Sequence, residues 1–298
     1  MIKKFSYPLL SNAFTKSDII SGIKVLSSKY ITMSKETRNF ERHFAKKLDC
    51  KYALMTNSGS SANLLAVSAI INPLFKNKLK PGDEVLIPAV CWSTSLWPII
   101  QNNLKPVFVD VELDTFNISI KDLRKKITSK TKAIMCVHVL GTSTNLNHIK
   151  KLINKKNIIL IEDTCESLGA KFNNKFLGTF GEFGTFSFYY SHQITSGEGG
   201  MIVCNNVKNY NIIKSLRSHG WSRETTFHNI YKKKFKKLDD RFLFINSGYN
   251  LRPTDIQAAI AYNQFKRLNK FITTRNYNRK KIIDKIKKDK KWNNQFYF

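Results

Sequence analysis

The stretch that decides the fold is TKAIMCVHVLGTSTNLNHIKKLINKKNIILIED, residues 131–163. It begins with an apolar, strand-like run, TKAIMCVHV (131–139), and ends with a second one, NIILIED (157–163). Between them, LNHIKKLINKK (146–156) has apolar residues at helical spacing. A strand, a helix and a second strand in this order predict a β-α-β unit with parallel strands and a right-handed crossover.

The same alternation continues in both directions from this unit. Further strands are predicted at 51–56, 81–90, 106–112, 185–190 and 199–205, and helices at 14–50, 57–71, 93–103, 209–220, 254–268 and, as a basic tail, 275–298. Strands that alternate with helices favour a mainly parallel sheet with helices on both faces. The predicted fold class is therefore α/β, with three layers in the order α/β/α.

Composition excludes several functional classes. The formal net charge is +29, but the basic residues form no recognised nucleic-acid motif, so we expect no nucleic-acid partner. No apolar run approaches the ~20 residues of a membrane span, and MIKKFSYPLL (1–10) lacks the apolar centre of a signal peptide. The five cysteines form no CxxC pair. Reduced thiols in a cytoplasmic protein without a metal site are the expectation.

Two features point to a ligand at the carboxyl edge of the sheet, where open α/β sheets bind their ligands. Asp163 directly follows the apolar run IILIE, so it is either a helix N-cap or a ligand-binding carboxylate. NSGSSANLL (57–65) starts an apolar helix directly after a strand. Such a helix start directs several N–H groups at one point and suits a phosphate, although a well-capped helix would have the same residues.

Six motifs in this order carry a resemblance to a known family. They are SGSSANL, GDEVLIPAV, PVFVDVE, IEDTCESLGA, SFYYSHQITSGEGG and GYNLRPTDIQAA. Together, from about Tyr7 to the TDIQAAI helix, the chain resembles the DegT/DnrJ/EryC1/StrS sugar aminotransferases. The resemblance implies an aspartate-aminotransferase-like large domain (1–255) with a mainly parallel, mixed sheet. It also implies that 256–298 begins a smaller C-terminal domain that is apparently truncated.

The resemblance implies pyridoxal or pyridoxamine 5′-phosphate as the cofactor and assigns residues to it. Asp163 matches the carboxylate that pairs with the pyridine nitrogen, and Trp92 the aromatic residue that stacks on the ring. Asn250 matches an asparagine that reaches the phosphate of the neighbouring subunit, which implies a homodimer. Phosphate contacts are implied for Ser58, Gly59, Ser60 and Ser187, and His219 and Arg223 are weaker candidates for substrate contacts.

Two departures from the aminotransferase pattern change the expected chemistry. His192 stands where the family has its lysine, and Glu166 where it usually has glutamine; both resemble the sugar 3-dehydratases of this family. Imidazole has no primary amine to hold the cofactor covalently, yet it is a good base near neutral pH. The resemblance thus implies loss of the C3 hydroxyl from a nucleotide-linked 4-keto-6-deoxyhexose. It further implies an amino donor such as glutamate and a role in deoxysugar supply for surface polysaccharide.

The sequence leaves alternative functions open. A nucleotide-sugar aminotransferase would need a lysine that the matching position lacks, and a truncated family member could be inactive. A related dehydratase type carries an iron–sulfur cluster, normally held by four thiolates. Only Cys204 follows His192, so no cluster is expected. The nucleotide, the sugar stereochemistry and any reductase partner are left open.

Overall fold

The computed structural model describes residues 13–154 and 156–289. The predicted features of residues 1–10 and of the tail beyond 289 lie outside the described residues. The helices are α1 (Lys16–Ser28), α2 (Lys35–Leu48), α3 (Gly59–Ile70), α4 (Ser93–Gln101), α5 (Ile120–Lys126), α6 (Leu146–Asn154), α7 (Val207–Arg217), α8 (His228–Lys234), α9 (Asp255–Phe265) and α10 (Leu268–Lys287). The strands are β1 (Tyr52–Thr56), β2 (Glu84–Pro88), β3 (Lys105–Val109), β4 (Thr131–Val137), β5 (Ile159–Asp163), β6 (Lys171–Phe172), β7 (Lys175–Phe176), β8 (Phe183–Ser187) and β9 (Gly200–Cys204).

Seven strands form one sheet in the order β1-β9-β8-β5-β4-β2-β3. Strand β9 runs antiparallel to both of its neighbours, β1 and β8, and the remaining pairings are parallel. Strands β6 and β7 form a separate hairpin. The predicted mainly parallel, mixed sheet is confirmed.

Side chains of successive strand residues enter different cores, as a period of two requires. In β4, Ala133 and Met135 belong to the core under α3 and α7, whereas Ile134 and Cys136 belong to the core under α5 and α6. A third apolar cluster joins α2 and α9 to β1, β8 and β9. Because both faces of the sheet are covered by helices, the three-layer prediction is also confirmed.

The last helices pack against the first ones. Ala258, Ala261 and Phe265 of α9 share a buried cluster with Phe40 and Phe44 of α2. In the chain as described, α9 therefore closes the core of the sheet domain. The predicted boundary between residues 255 and 256 stays a prediction.

The pairing of β5, β8, β9 and β1 brings three polar segments together at one edge of the sheet. Asp163, the last residue of β5, pairs with Thr185 of β8, and Ser187, the last residue of β8, pairs with Gly200. Gly200 also pairs with Thr56, the last residue of β1, directly before α3 starts. The ends of β5 and β8 and the start of α3 thus surround one place.

Strand β8 is shorter than predicted. The sequence favoured a strand over 185–190, but the chain turns after Ser187. The amide of Tyr189 donates to the Ser187 hydroxyl (3.2 Å), and the amide of His192 donates to the Tyr189 carbonyl (3.1 Å). These local bonds compete with the sheet ladder and return His192 toward the end of β8.

Candidate active site

Asp163 is the buried carboxylate of the candidate site, with 5% of its surface exposed. Its Oδ2 accepts hydrogen bonds from Asn63 Nδ2 (2.7 Å) and Ser95 Oγ (2.6 Å). Its Oδ1 accepts the amide of Cys165 (3.1 Å). The carboxylate is therefore held by three donors from separate elements, and its orientation is determined before any ligand binds.

The start of α3 forms a small, donor-rich cradle. Ser58 is the N-cap, and its hydroxyl accepts the amide of Ser61 (3.1 Å). The amides of Gly59 and Ser60 lie in the first turn, where N–H groups have no intrahelical partner. A Cβ on Gly59 would lie 2.5 Å from Ser187 Cβ, so the helix start contacts the end of β8 directly. Free donors, the helix dipole and Ser187 together suit a phosphate.

His192 lies half-buried beside these groups. Its Nδ1 is 3.3 Å from the Ser187 carbonyl oxygen, which can only accept, so Nδ1 carries the proton and Nε2 is left as a base. Burial lowers the pKa of His192, and the neighbouring Ser187 carbonyl, Glu166 and Asp163 oppose that shift. The result is an imidazole held in its neutral, proton-accepting form to lower pH than an ordinary histidine.

Glu166 and Gln193 connect His192 to the segment that follows β5. Glu166 Oε2 accepts the amide of Leu140 (3.0 Å), and Gln193 donates its side-chain amide to the Glu166 carbonyl. The Oε1 atom of Gln193 is enclosed and has no hydrogen-bond partner within residues 13–154 and 156–289. The residue after the histidine thus fixes the backbone that carries Glu166.

Trp92 marks the open side of the site. It is the N-cap residue of α4, three positions before the Ser95 that contacts Asp163, and 73% of its surface is exposed. A large aromatic side chain this exposed, at the start of the helix that carries Ser95, is free to cover a planar ligand. This placement is compatible with the stacking role that the resemblance implies.

The remaining predicted residues form a second group on the loop between α7 and α9. Asn250 is exposed and accepts a hydrogen bond from Arg252 Nε (3.1 Å). His219 has a left-handed φ of 61° and packs its ring edge-on to Trp221, with the ring centroids 5.3 Å apart. The Arg223 guanidinium lies 5.3 Å from the same indole ring. Across the described parts of the chain, none of the three contacts Asp163 or His192.

Sequence reasoning missed three polar residues that surround Asp163: Asn63, Ser95 and Thr185. All three are almost completely buried, and Thr185 Oγ1 donates to Asn63 Oδ1 (2.6 Å). One signal was available, because Asn63 interrupts an otherwise small and apolar helix face between Ala62 and Leu65. A lone polar residue on a buried helix face needs a partner, but the sequence does not show which one.

No group of three or more His, Cys, Asp or Glu side chains in 13–154 and 156–289 is arranged to hold a metal ion. Within the same ranges, no helix combines the length and the apolar character of a membrane span. All five cysteines are unpaired.

The fold and the site place the chain in fold type I of the pyridoxal-phosphate enzymes. A family profile described as the DegT/DnrJ/EryC1/StrS aminotransferase family matches residues 15–292, and the chain belongs to this family. The predicted family is thereby confirmed.

Several proteins similar to this chain are named as 3-dehydratases of GDP-4-keto-6-deoxymannose. The GDP-4-keto-6-deoxy-D-mannose 3-dehydratase of Escherichia coli O55:H7 (strain CB9615 / EPEC) is 42% identical over 284 residues, which cover 95% of this chain and 73% of that protein. A solved structure of a GDP-4-keto-6-deoxymannose-3-dehydratase, a histidine-to-asparagine mutant with bound GDP-perosamine, has a TM-score of 0.90 at 42% identity and covers 95% of this chain and 74% of that one. Another, with a trapped PLP–glutamate adduct, has a TM-score of 0.87 at 40% identity and covers 96% and 74%.

Proposed function

We propose that the chain is a pyridoxamine-phosphate-dependent 3-dehydratase. Its substrate would be a nucleotide-linked 4-keto-6-deoxyhexose on the route to deoxysugars of surface polysaccharide. The observation that carries this proposal is His192, a half-buried imidazole with a free Nε2 beside Asp163, at the position where the family's aminotransferases have lysine. A GDP-linked sugar is the first candidate, since the relatives described above are named for one.

The residues present fit pyridoxal and pyridoxamine phosphate. The α3 start with Ser58, Gly59 and Ser60, together with Ser187, offers N–H and hydroxyl donors to a phosphate dianion. Asp163 offers a buried carboxylate to a protonated ring nitrogen, and Trp92 an aromatic face. When bound, such a cofactor supplies an amine that condenses with a keto group and a ring that accepts electrons.

Residues of this chain then carry out the proton transfers and the positioning. The Ser187 carbonyl keeps the proton of His192 on Nδ1, so Nε2 can take a proton from a carbon held beside it. Asp163, held by three donors, keeps the ring nitrogen charged. Glu166, in the segment fixed by Leu140 and Gln193, adds a carboxyl group near the imidazole. In the overall change the sugar C3–OH is reduced to C3–H and ammonia is released, while glutamate restores the amine and is itself oxidised to 2-oxoglutarate.

We further propose that the working form is a homodimer in the cytoplasm. Asn250 is exposed and accepts a hydrogen bond from Arg252, so its side chain is accessible to a second copy, which supports the role at a partner's phosphate that the family resemblance implies. Five unpaired thiols support a reducing compartment. Light scattering on the purified chain tests the assembly, and a monomeric mass at micromolar concentration would exclude it.

The reaction is tested with the purified chain, pyridoxamine phosphate, glutamate and GDP-4-keto-6-deoxymannose. We expect a product lighter by one oxygen atom, formed together with ammonia. Loss of a general base costs typically 10²- to 10⁴-fold, so His192→Ala should lower the rate by about that factor. His148→Ala, which removes an exposed histidine on α6, is the control and should match the unmodified chain. A stable 4-amino sugar would instead identify an aminotransferase, and full activity of His192→Ala would exclude His192 as the base.

A further inference from the structure

A buried chain of three side chains leads from β8 to the candidate site. Thr185 Oγ1 donates to Asn63 Oδ1 (2.6 Å), and Asn63 Nδ2 donates to Asp163 Oδ2 (2.7 Å). The exposed fractions are 0%, 1% and 5% for Thr185, Asn63 and Asp163. Because water does not reach these atoms, each hydrogen bond depends on the other.

Asp163 determines the direction of hydrogen-bond donation along these three side chains. An ionised carboxylate only accepts, so Asn63 must present its NH₂ group to Asp163 and its carbonyl to Thr185. The Thr185 hydroxyl must then donate, because a carbonyl cannot. Without that hydroxyl, the Asn63 carbonyl loses its donor, and the amide is held only at the end that faces Asp163.

Asn63 lies one helical turn beyond the phosphate cradle. The same helix, α3, therefore carries Ser58 and Gly59 at its start and the donor to Asp163 one turn later. Ser95 of α4 adds a second donor to the same oxygen (2.6 Å). A rigid helix thus fixes the separation between the place for a phosphate and the carboxylate for a ring nitrogen.

We propose that Asn63 is a positioning residue that acts through Asp163, and that Thr185 holds the carbonyl end of its amide in place. This inference rests on the proposed function for its consequence in catalysis, but the hydrogen-bonded geometry stands apart from it. Asn63→Leu removes the donor at similar volume, and Thr185→Val removes only the hydroxyl. Thr185→Ser keeps the hydroxyl and is the matched control.

Binding of pyridoxamine phosphate, followed by fluorescence titration, is the first measurement. A hydrogen bond to a charged group contributes about 1.5–3 kcal/mol, so Asn63→Leu should weaken binding by about 10- to 100-fold. Thr185→Val should show a smaller loss in the same direction, and Thr185→Ser should bind like the unmodified chain. The absorption maximum of bound pyridoxal phosphate should shift in the first two variants, because the ring nitrogen is held differently. Purely structural damage would not be reversed by the serine hydroxyl.

A second measurement does not depend on the cofactor. A crystal structure of Thr185→Val without added cofactor should show the Asn63 amide displaced and its 2.7 Å contact with Asp163 lengthened. If the Asn63 side chain keeps its position and its 2.7 Å contact with Asp163, the inference is wrong, whatever the unmodified chain binds. Unchanged cofactor binding and spectra in both Asn63→Leu and Thr185→Val would also overturn it. Failure of the unmodified chain to bind any cofactor overturns the proposed function, and the crystallographic result then decides the inference.

Discussion

Two neighbouring carboxylates, Glu162 and Asp163, have opposite roles because they lie on opposite faces of β5. Glu162 is fully buried and accepts the amides of Gly178 (2.9 Å), Phe180 (2.6 Å) and Gly181 (2.7 Å), and its Oε2 lies 3.1 Å from His138 Nε2. Both oxygens of Glu162 accept hydrogen bonds from the turn that leads into β8. Asp163 faces the candidate site instead. Both lie at a strand end in the sequence, and it was the family resemblance that assigned Asp163 to the ligand.

At the scale of single residues, the pKa of His192 yields a prediction on pH. Burial lowers this pKa below the ordinary histidine value of about 6.5, against the opposing effects of Ser187, Glu166 and Asp163, and Arg275 lowers it further. Activity is lost where the base becomes protonated, so the acid limb of kcat/KM should lie below pH ~6.5. Arg275→Gln removes a nearby positive charge and should move that limb to higher pH.

The control for this charge effect is Lys280→Gln, which removes an exposed cation from the same helix. A pH–rate profile of the three proteins is the measurement. An acid limb at or above pH ~6.5 in the unmodified chain would contradict the depressed pKa. The same profile for Arg275→Gln and the unmodified chain would show that α10 does not act on His192.

At the scale of elements, the site depends on how closely β9 and α3 approach. A Cβ on Gly200 would lie 2.3 Å from the Ser58 carbonyl oxygen and 2.7 Å from the Gly59 nitrogen. Both are backbone atoms and cannot move without moving the cradle. The glycine therefore allows a strand start and a helix start to pack within contact distance, which the spacing of SGEGG and NSGSS alone does not reveal.

Gly200→Ala should destabilise the fold and weaken the binding of pyridoxamine phosphate. Overpacking costs about 1–3 kcal/mol, which urea denaturation resolves. Gly22→Ala is the control, because a Cβ there would meet mainly flexible side-chain atoms of Ile260, the nearest at 3.2 Å, and alanine improves helix propensity. If the two variants show the same stability and the same cofactor affinity, the close approach at Gly200 has no consequence.

At the scale of the whole molecule, the sequence predicted the features that depend on local, repeated patterns of residues. The β-α-β periodicity predicted the sheet class, and the helix predicted from residue 254 is present, with Thr254 as its N-cap in a capping box with Gln257. The order of strands, the chain through Asn63, and the turn after Ser187 depend on contacts between distant segments, so periodicity could not predict them. The position of Asp163 was predicted from the strand end and the family resemblance, whereas its side-chain donors come from α3 and α4.

Helix α2 is capped by a carboxylate of α9, which lies far from it in the sequence. Helix α2 receives no side-chain cap from its own Ser34, yet Asp255 of α9 accepts the amides of Ser34 (2.7 Å), Glu36 (3.0 Å) and Thr37 (3.1 Å). The Thr37 hydroxyl adds a fourth bond to Asp255 (2.6 Å). One buried carboxylate thus replaces the local cap and attaches α9 to the first helices.

Asp255→Asn keeps the shape of the side chain but sets an NH₂ group against these donors. We expect the free energy of unfolding to fall by about 2–3 kcal/mol, since hydrogen bonds to a charged group are lost at a helix N-terminus. Asp284→Asn, on the exposed side of α10, is the control and should change stability by less than about 0.5 kcal/mol. Urea denaturation followed by circular dichroism compares the two. Equal midpoints would mean that α2 does not depend on Asp255, and that the other contacts of α9, such as those with Phe40 and Phe44, are sufficient to attach it.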